Sequence, residues 1–572
     1  MIMLARKQHL KKSAATFFCL IMFTSLLVAQ ENKTYKNISV YFTAEKKFLV
    51  LPVKNGTAKR NFELWVDGVQ KRFWDMELAE GKADWYAYMQ IDEWKGKSIE
   101  LRVDKVNTTS KVFDPVQQSD LDTNANEYNE SLRAQFHFSP KRGWTNDPNG
   151  MVFFKGEYHL FFQHNPYGCE WGNMTWGHAV SKDLVHWKEL GEALHPDQFG
   201  PVYSGGAVVD SNNTSGLAAN GNMPMLMFHT GAKAWGQYLS WTNDGRTFKK
   251  MDEKAVVPRI NKDNRDPKVI WHEPTKKWVM VFWVERGNDE QHSMQFLTSP
   301  DLINWTPTSS FNGGKGDDRY LFECPEFYEL TVEGTNEKKW VLTGANSQYA
   351  IGTFDGKTFV PTQERLQGQY GRDFYASQTF SDVPDGRRIE IGWWRTNTNN
   401  GKMSFNQSMS IPMEHTLIKT PEGIRLSRKP AKELESLRTK TYQQKQLTIK
   451  PNAVNPLNSL KVELAEIRFT LEPGTAKEII LNVRGVAIKY NTTAQQLEVD
   501  GVKAPAPLTN GKVDVIIFVD KVGFEIFANS GLTFMPVNIN LSADENTLSI
   551  SANGGTAKLL NLFVYELKSI WR

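Results

Sequence analysis

Three acidic motifs divide the middle of the chain at nearly even steps: Trp144-Thr145-Asn146-Asp147-Pro148-Asn149-Gly150, Arg265-Asp266-Pro267 and Glu323-Cys324-Pro325. Breaking a glycosidic bond with retention needs two carboxyl groups on opposite sides of the anomeric carbon, roughly 5–5.5 Å apart. One must be an ionised nucleophile and the other a protonated acid. Asp147 lies in a turn-forming context that can point a short carboxylate inward and supply amides to hold its charge. Arg265 beside Asp266 predicts a second carboxylate kept ionised, suited to gripping sugar hydroxyls and stabilising positive charge on a ring. Partial burial of Glu323 near two other acids predicts a raised pKa and a proton donor. Taken singly, each motif is an ordinary turn or surface pair. Their joint occurrence at one period carries the signal.

Asp266 follows Asp147 by 119 residues and Glu323 follows Asp266 by 57, so the first interval is close to twice the second. Ser204-Gly205-Gly206 fills the skipped position, and Ser377-Gln378 falls one step beyond Glu323. A second marker keeps the same rhythm. Ser181-Lys182-Asp183-Leu184-Val185-His186-Trp187 recurs as Ser299-Pro300-Asp301-Leu302-Ile303-Asn304-Trp305, with looser copies around Asp244 and Asp355. Each reads as an Asp-containing turn followed by an aromatic residue that packs on a neighbouring strand. Apolar runs between the markers, such as Lys277–Trp283 and Trp340–Thr343, read as strands. A strand-rich repeat of this length predicts a four-stranded propeller blade, and residues 135–430 hold five. Five blades closing into a ring would gather Asp147, Asp266 and Glu323 at one mouth of the central channel.

The remainder of the 572 residues frames that ring. Residues 1–29 carry Arg6, Lys7, Lys11 and Lys12 ahead of an apolar run, which predicts a cleaved secretory signal. The chain is therefore expected to be exported, to the periplasm or the exterior, with no membrane span once the signal is gone. Cleavage would also change the formal net charge from +4 to 0, leaving no electrostatic case for nucleic acid. Residues 30–125 alternate apolar and polar positions, as in a small accessory β-sandwich; Gln117–Asn129 reads as its linker, so its removal is expected to be tolerated. Residues 130–430 are the propeller; 440–572 predict a second β-sandwich, reached through a short helical connector near Lys432. The fold class is all-β. Of the three cysteines only Cys169 and Cys324 lie beyond the signal, too few for a disulfide framework, and a bridge between them would crowd Glu323.

The three motifs together resemble the signatures of glycoside hydrolase family 32, the invertase, inulinase and levanase family. The likeness extends through Phe161–Pro166, Trp171-Gly172, Trp176–Ala179, Tyr203-Ser204-Gly205, Tyr375-Ala376-Ser377 and, near the C-terminus, Val522–Asn529. It implies a five-bladed propeller and retaining hydrolysis of β-fructofuranosides such as levan, inulin or sucrose. In that scheme Asp147 is the nucleophile, Asp266 the transition-state stabiliser and Glu323 the acid/base. Sugar contacts fall on Asn146, Gln163, Trp171, Tyr203, Ser204 and Arg265, without metal or cofactor. One departure is Thr145, where members of the family often carry Met or another larger residue.

Fructosyl transfer and non-catalytic fructan binding are the alternatives, although a retired site has no reason to keep all three acids. The motifs leave linkage preference, exo or endo attack, and oligomeric state open. Arg372-Asp373 sits near the fifth blade's phase as a candidate pocket residue. Trp65, Trp74, Trp85 and Trp94 offer either core packing or sugar contact. His159, His164, His178 and His186 lack metal-ligand spacing.

Overall fold

The structure, a computed structural model, describes residues 34–571 apart from 252–253, 287–290, 317, 397 and 399–400. The expected secretory signal lies outside the described residues. Among those described, no helix is long and apolar enough to cross a membrane, and regular structure is almost wholly strand.

Residues 143–430 form five antiparallel sheets, each begun by an inner strand: Gly143–Phe154, Val202–Val209, Asp263–His272, Glu326–Thr331 and Phe374–Thr379. Each inner strand packs on the next, and the fifth packs on the first, so the sheets close into the five-bladed ring. Closure is secured where Phe405-Asn406 pairs in parallel with Gly143-Trp144. Blade strands are buried on both faces by neighbouring blades, which is why Lys277–Arg286 is an almost continuous apolar run rather than an alternating one. The repeated markers are structurally equivalent turns. Asp183 Oδ1 accepts from the amides of Val185 and His186, and Asp301 Oδ1 from those of Ile303 and Asn304. The indoles of Trp187 and Trp305 then donate to the carbonyls of Leu184 and Leu302.

A six-stranded and a five-stranded sheet make the C-terminal sandwich, entered through a 3-10 turn at Lys432–Leu437. It docks on the ring around His137, whose Nδ1 meets Asp520 at 2.7 Å and Nε2 meets Glu525 at 2.8 Å. Burial alone would lower the imidazole pKa, but the two carboxylates raise it to about 9. Arg372 and Asp373 belong to the same interface. Arg372 pairs with Asp500, and Asp373 accepts from the Asn538 amide, so neither lines the pocket.

The N-terminal segment is a sandwich of a four-stranded and a three-stranded sheet. Alternation in Phe48–Val53 and Lys59–Val66 buries one face of each strand. The expected free linker is instead a fastened strap. Gln118-Ser119 joins the three-stranded sheet, Glu127 pairs with Arg142 at 2.7 Å, and Tyr128 stacks on Trp571. More telling, the apolar core of this sandwich includes Tyr167 and Cys169 of the first blade, with Trp74 and Tyr167 centroids 5.2 Å apart. Deleting residues 34–125 would expose both side chains, at roughly 1.5–3 kcal/mol for a large apolar group. This shared core argues that the N-terminal sandwich, read from the sequence as a dispensable accessory domain, acts as a packing partner of the ring. The truncated protein is expected to lose solubility or melt well below the parent, as thermal denaturation would show; an equally stable truncation would contradict the shared core.

Candidate active site

The site rests on a repeated irregularity. Pairing with the second strand of the blade slips between Thr145 and Pro148, between Tyr203 and Gly205, between Arg265 and Lys268, and between Tyr375 and Gln378. Four inner strands therefore bulge at the same level, and the bulged residues include Asp147, Ser204 and Asp266. A bulge re-aims side chains that a regular pleat would alternate between neighbouring blades. Backbone strain accompanies it: Asp266, Glu323 and Cys324 have φ of 64°, 54° and 36°. Gly205 is required by close approach, since a Cβ there would lie 1.9 Å from the Phe228 carbonyl oxygen.

These strands surround a cavity of about 210 Å³ lined by Asn146, Asp147, Gln163, Trp171, Tyr203, Ser204, Arg265, Asp266, Glu323, Tyr375 and Trp393. Every catalytic and sugar-contact candidate named from the sequence lines this one pocket. Asp147 accepts from Asn146 Nδ2 at 3.0 Å and from the Ser204 hydroxyl at 2.7 Å. The Trp144 indole, 2.9 Å from Asn146 Oδ1, fixes the orientation of that amide. Asp266 accepts from the Cys324 amide at 3.1 Å, while the Cys324 thiol lies 3.6 Å from Asp147 and 3.5 Å from Asp266. Glu323 is held on both oxygens: Arg265 donates to one and the Tyr375 hydroxyl to the other, the latter at 2.7 Å. Gln163 donates to the Val202 carbonyl, and Thr145 to that of Gln163, bracing the pocket wall from behind.

Electrostatics depart from the sequence reading at Asp266. Arg265 was expected to hold this carboxylate ionised, yet its two Nη groups bind Asp263 and Glu323, and only Nε approaches Asp266, at 3.8 Å. Burial, with Glu323 and Asp147 adding to it against the pull of Arg265, drives Asp266 up to about 7. Burial also raises Asp147, while hydrogen bonds from Ser204 and Asn146 oppose it. A buried acid with a raised pKa binds its proton more tightly folded than unfolded, so stability falls as pH rises from about 4 to about 7. Asp266→Asn should relieve a penalty on the order of a few kcal/mol. We expect its melting temperature to exceed the parent's at pH 8 and to converge with it near pH 4; a pH-independent difference would refute this.

Tyr375 and Trp393 are the pocket residues that motif reading did not name as site residues. Tyr375 lies two residues before Ser377, the residue that the spacing pointed to, and that neighbourhood was the available signal. Ser377 itself is buried and donates to Glu390 at 2.6 Å, outside the pocket. Nothing in the local sequence marks Trp393. Among the described residues, Cys169 and Cys324 are unpaired and buried. The four histidines do not share a site: His159 and His178 contact each other at 3.0 Å, His164 the Arg142 carbonyl, and His186 pairs with Asp183.

Comparison with known proteins agrees with this arrangement. Residues 137–430 match the glycosyl hydrolases family 32 N-terminal domain, and residues 433–566 the family's C-terminal domain. A levanase of Bacillus subtilis is 38% identical over 490 residues, spanning 78% of this chain and 72% of its own. An extracellular exo-inulinase of Aspergillus awamori is 29% identical over 526 residues, spanning 78% of this chain and 97% of its own. The crystal structure of an Aspergillus awamori exo-inulinase superposes with a TM-score of 0.69 at 28% identity, covering 78% of this chain and all of that one. On these matches, over both the propeller and the sandwich that follows it, the chain belongs to glycosyl hydrolase family 32.

Proposed function

We propose that the protein is an exported β-fructofuranosidase that removes terminal fructose from a fructan or sucrose with retention of configuration. The observation that carries this reading is the convergence of Asp147, Asp266 and Glu323 on one small pocket with six polar or aromatic groups named for sugar contact. Asp147 attacks the anomeric carbon, and Glu323 protonates the departing oxygen. Glu323 then takes a proton from the water that releases the sugar from Asp147. Asp266 accepts hydrogen bonds from ring hydroxyls, which favour its ionised form against burial, and so stabilises the oxocarbenium-like transition state. Ser204 and Asn146 keep the Asp147 carboxylate in one orientation, which lowers the cost of reaching the attacking geometry. The levanase and exo-inulinase names of the relatives support fructan as the substrate.

Chain-end attack follows from the shape of the pocket. Lys268, two residues past Asp266 on the same inner strand, pairs with Glu326 at 3.0 Å and donates to the Thr379 carbonyl at 2.9 Å, tying the inner strands together next to the acids. All three are buried, and they come from three different inner strands. A pocket of about 210 Å³ is smaller than the roughly 300–1,000 Å³ of drug-sized sites and suits a single ring. Time-resolved product analysis on levan and inulin tests the proposal. Free fructose should be the first product, with little early fall in polymer length; an early ladder of oligosaccharides would mean an open cleft.

A further inference from the structure

A second cavity, of about 590 Å³, shares one wall with the acid pocket. That wall is Trp171, whose side chain is 54% exposed and lines both spaces. On the propeller side the groove is completed by Gly172, Asn173, Pro196 and Pro201. Its opposite side is the outer face of the N-terminal sandwich, where Asn61, Glu63, Gln70 and Phe73 line it. Strand register explains why these side chains share a face. Glu63 lies opposite Phe73 and Trp65 opposite Gln70, while the alternating Phe62, Leu64 and Val66 point into the core. Next to them stands Trp65, its ring covered by Arg102 at 4.1 Å, so this tryptophan serves the outer face while Trp74, Trp85 and Trp94 are core. Phe73 stays 39% exposed on this face. Asn173 fixes the two sides together, exchanging hydrogen bonds of 3.0 and 2.8 Å with the Asp75 backbone.

We propose that this groove holds the sugar units beyond the scissile bond, making the N-terminal sandwich part of the polymer-binding surface. A terminal ring that fills the acid pocket leaves the rest of its chain to exit over Trp171, and the groove begins there. Aromatic plates flanked by an amide and a carboxylate are the chemistry that receives the apolar faces and hydroxyls of furanose rings. The N-terminal side of the groove, with Asn61, Glu63, Gln70 and Phe73, lies outside the matched ranges 137–430 and 433–566. The occupant is a β-fructofuranosyl polymer, an identity that rests on the functional reading above.

The test compares full-length parent, Phe73→Ala and Gln70→Ala on sucrose, on levan and on inulin. Both side chains are exposed and outside the acid pocket, and sucrose turnover reports that each variant is folded. For Phe73→Ala, kcat/KM on sucrose should stay within about two-fold, while on levan or inulin it falls about ten-fold, the size of one lost aromatic contact. The polymer that shows the fall identifies the linkage the groove accepts. Gln70→Ala should show a smaller loss in the same direction. An active parent whose two variants keep parental rates on both polymers overturns this proposal alone. A parent inert on all three substrates overturns the functional reading and this one with it.

Discussion

Asp147→Asn is expected to reduce kcat on fructan by about 10⁴-fold or more, the scale seen when a nucleophile is removed from a site whose other members remain. The substitution is nearly isosteric, and Ser204 and Asn146 can still hydrogen-bond the amide that replaces the carboxylate. It also removes a carboxylate whose ionisation burial opposes, so the variant should melt no lower than the parent at neutral pH. Loss of activity with retained or raised stability separates a chemical role from a structural one. A variant that unfolds, or that turns over fructan at parental rates, would remove Asp147 from the role of nucleophile.

The second large effect is expected at Glu323 and differs in kind. Glu323→Gln cannot protonate the leaving oxygen, and general acid catalysis is worth about 10²–10⁴-fold. With an activated aryl β-fructofuranoside the first step needs little protonation, so a burst of phenol should appear at a rate close to the parent's. Steady-state turnover should stay slow, because the same residue activates water in the second step. Added azide, which needs no base, should restore turnover and yield a fructosyl azide. Equal losses on sucrose and on the activated substrate, with no effect of azide, would assign Glu323 to orientation instead. Arg265 and Tyr375, which hold its two oxygens, would then be the partners through which it acts.

Sequence spacing reached the ring and its acids because both are written in residue types at a fixed period. Propeller blades repeat, so a residue at one phase of each repeat returns to the same level of the axis, and Ser204 joins Asp147 and Glu323 there; in the fifth blade the pocket takes Tyr375, two residues before the Ser377 to which the spacing pointed. Bulges are not written this way. Asp147 and Asp266 reach the pocket through register slips that depend on pairing with the next strand, which no local pattern encodes. The fate of Arg265 was equally hidden: adjacency to Asp266 suggested their pairing, whereas a bulged backbone turns the guanidinium toward Asp263 and Glu323. The N-terminal sandwich misled for another reason. Alternation in its strands shows that one face of each is buried, but not that Tyr167 and Cys169 from a distant loop complete the core. Polar composition at Gln117–Asn129 likewise resembles a free linker until Glu127 and Tyr128 find their partners.

The central claim is a double displacement through Asp147, and stereochemistry tests it most directly. Turnover of sucrose or fructan in dilute methanol should trap the intermediate as methyl β-fructofuranoside, and NMR at early times should show the β anomer of fructose before it equilibrates. Methyl α-fructofuranoside, or an α anomer appearing first, would mean a single displacement and would contradict the account.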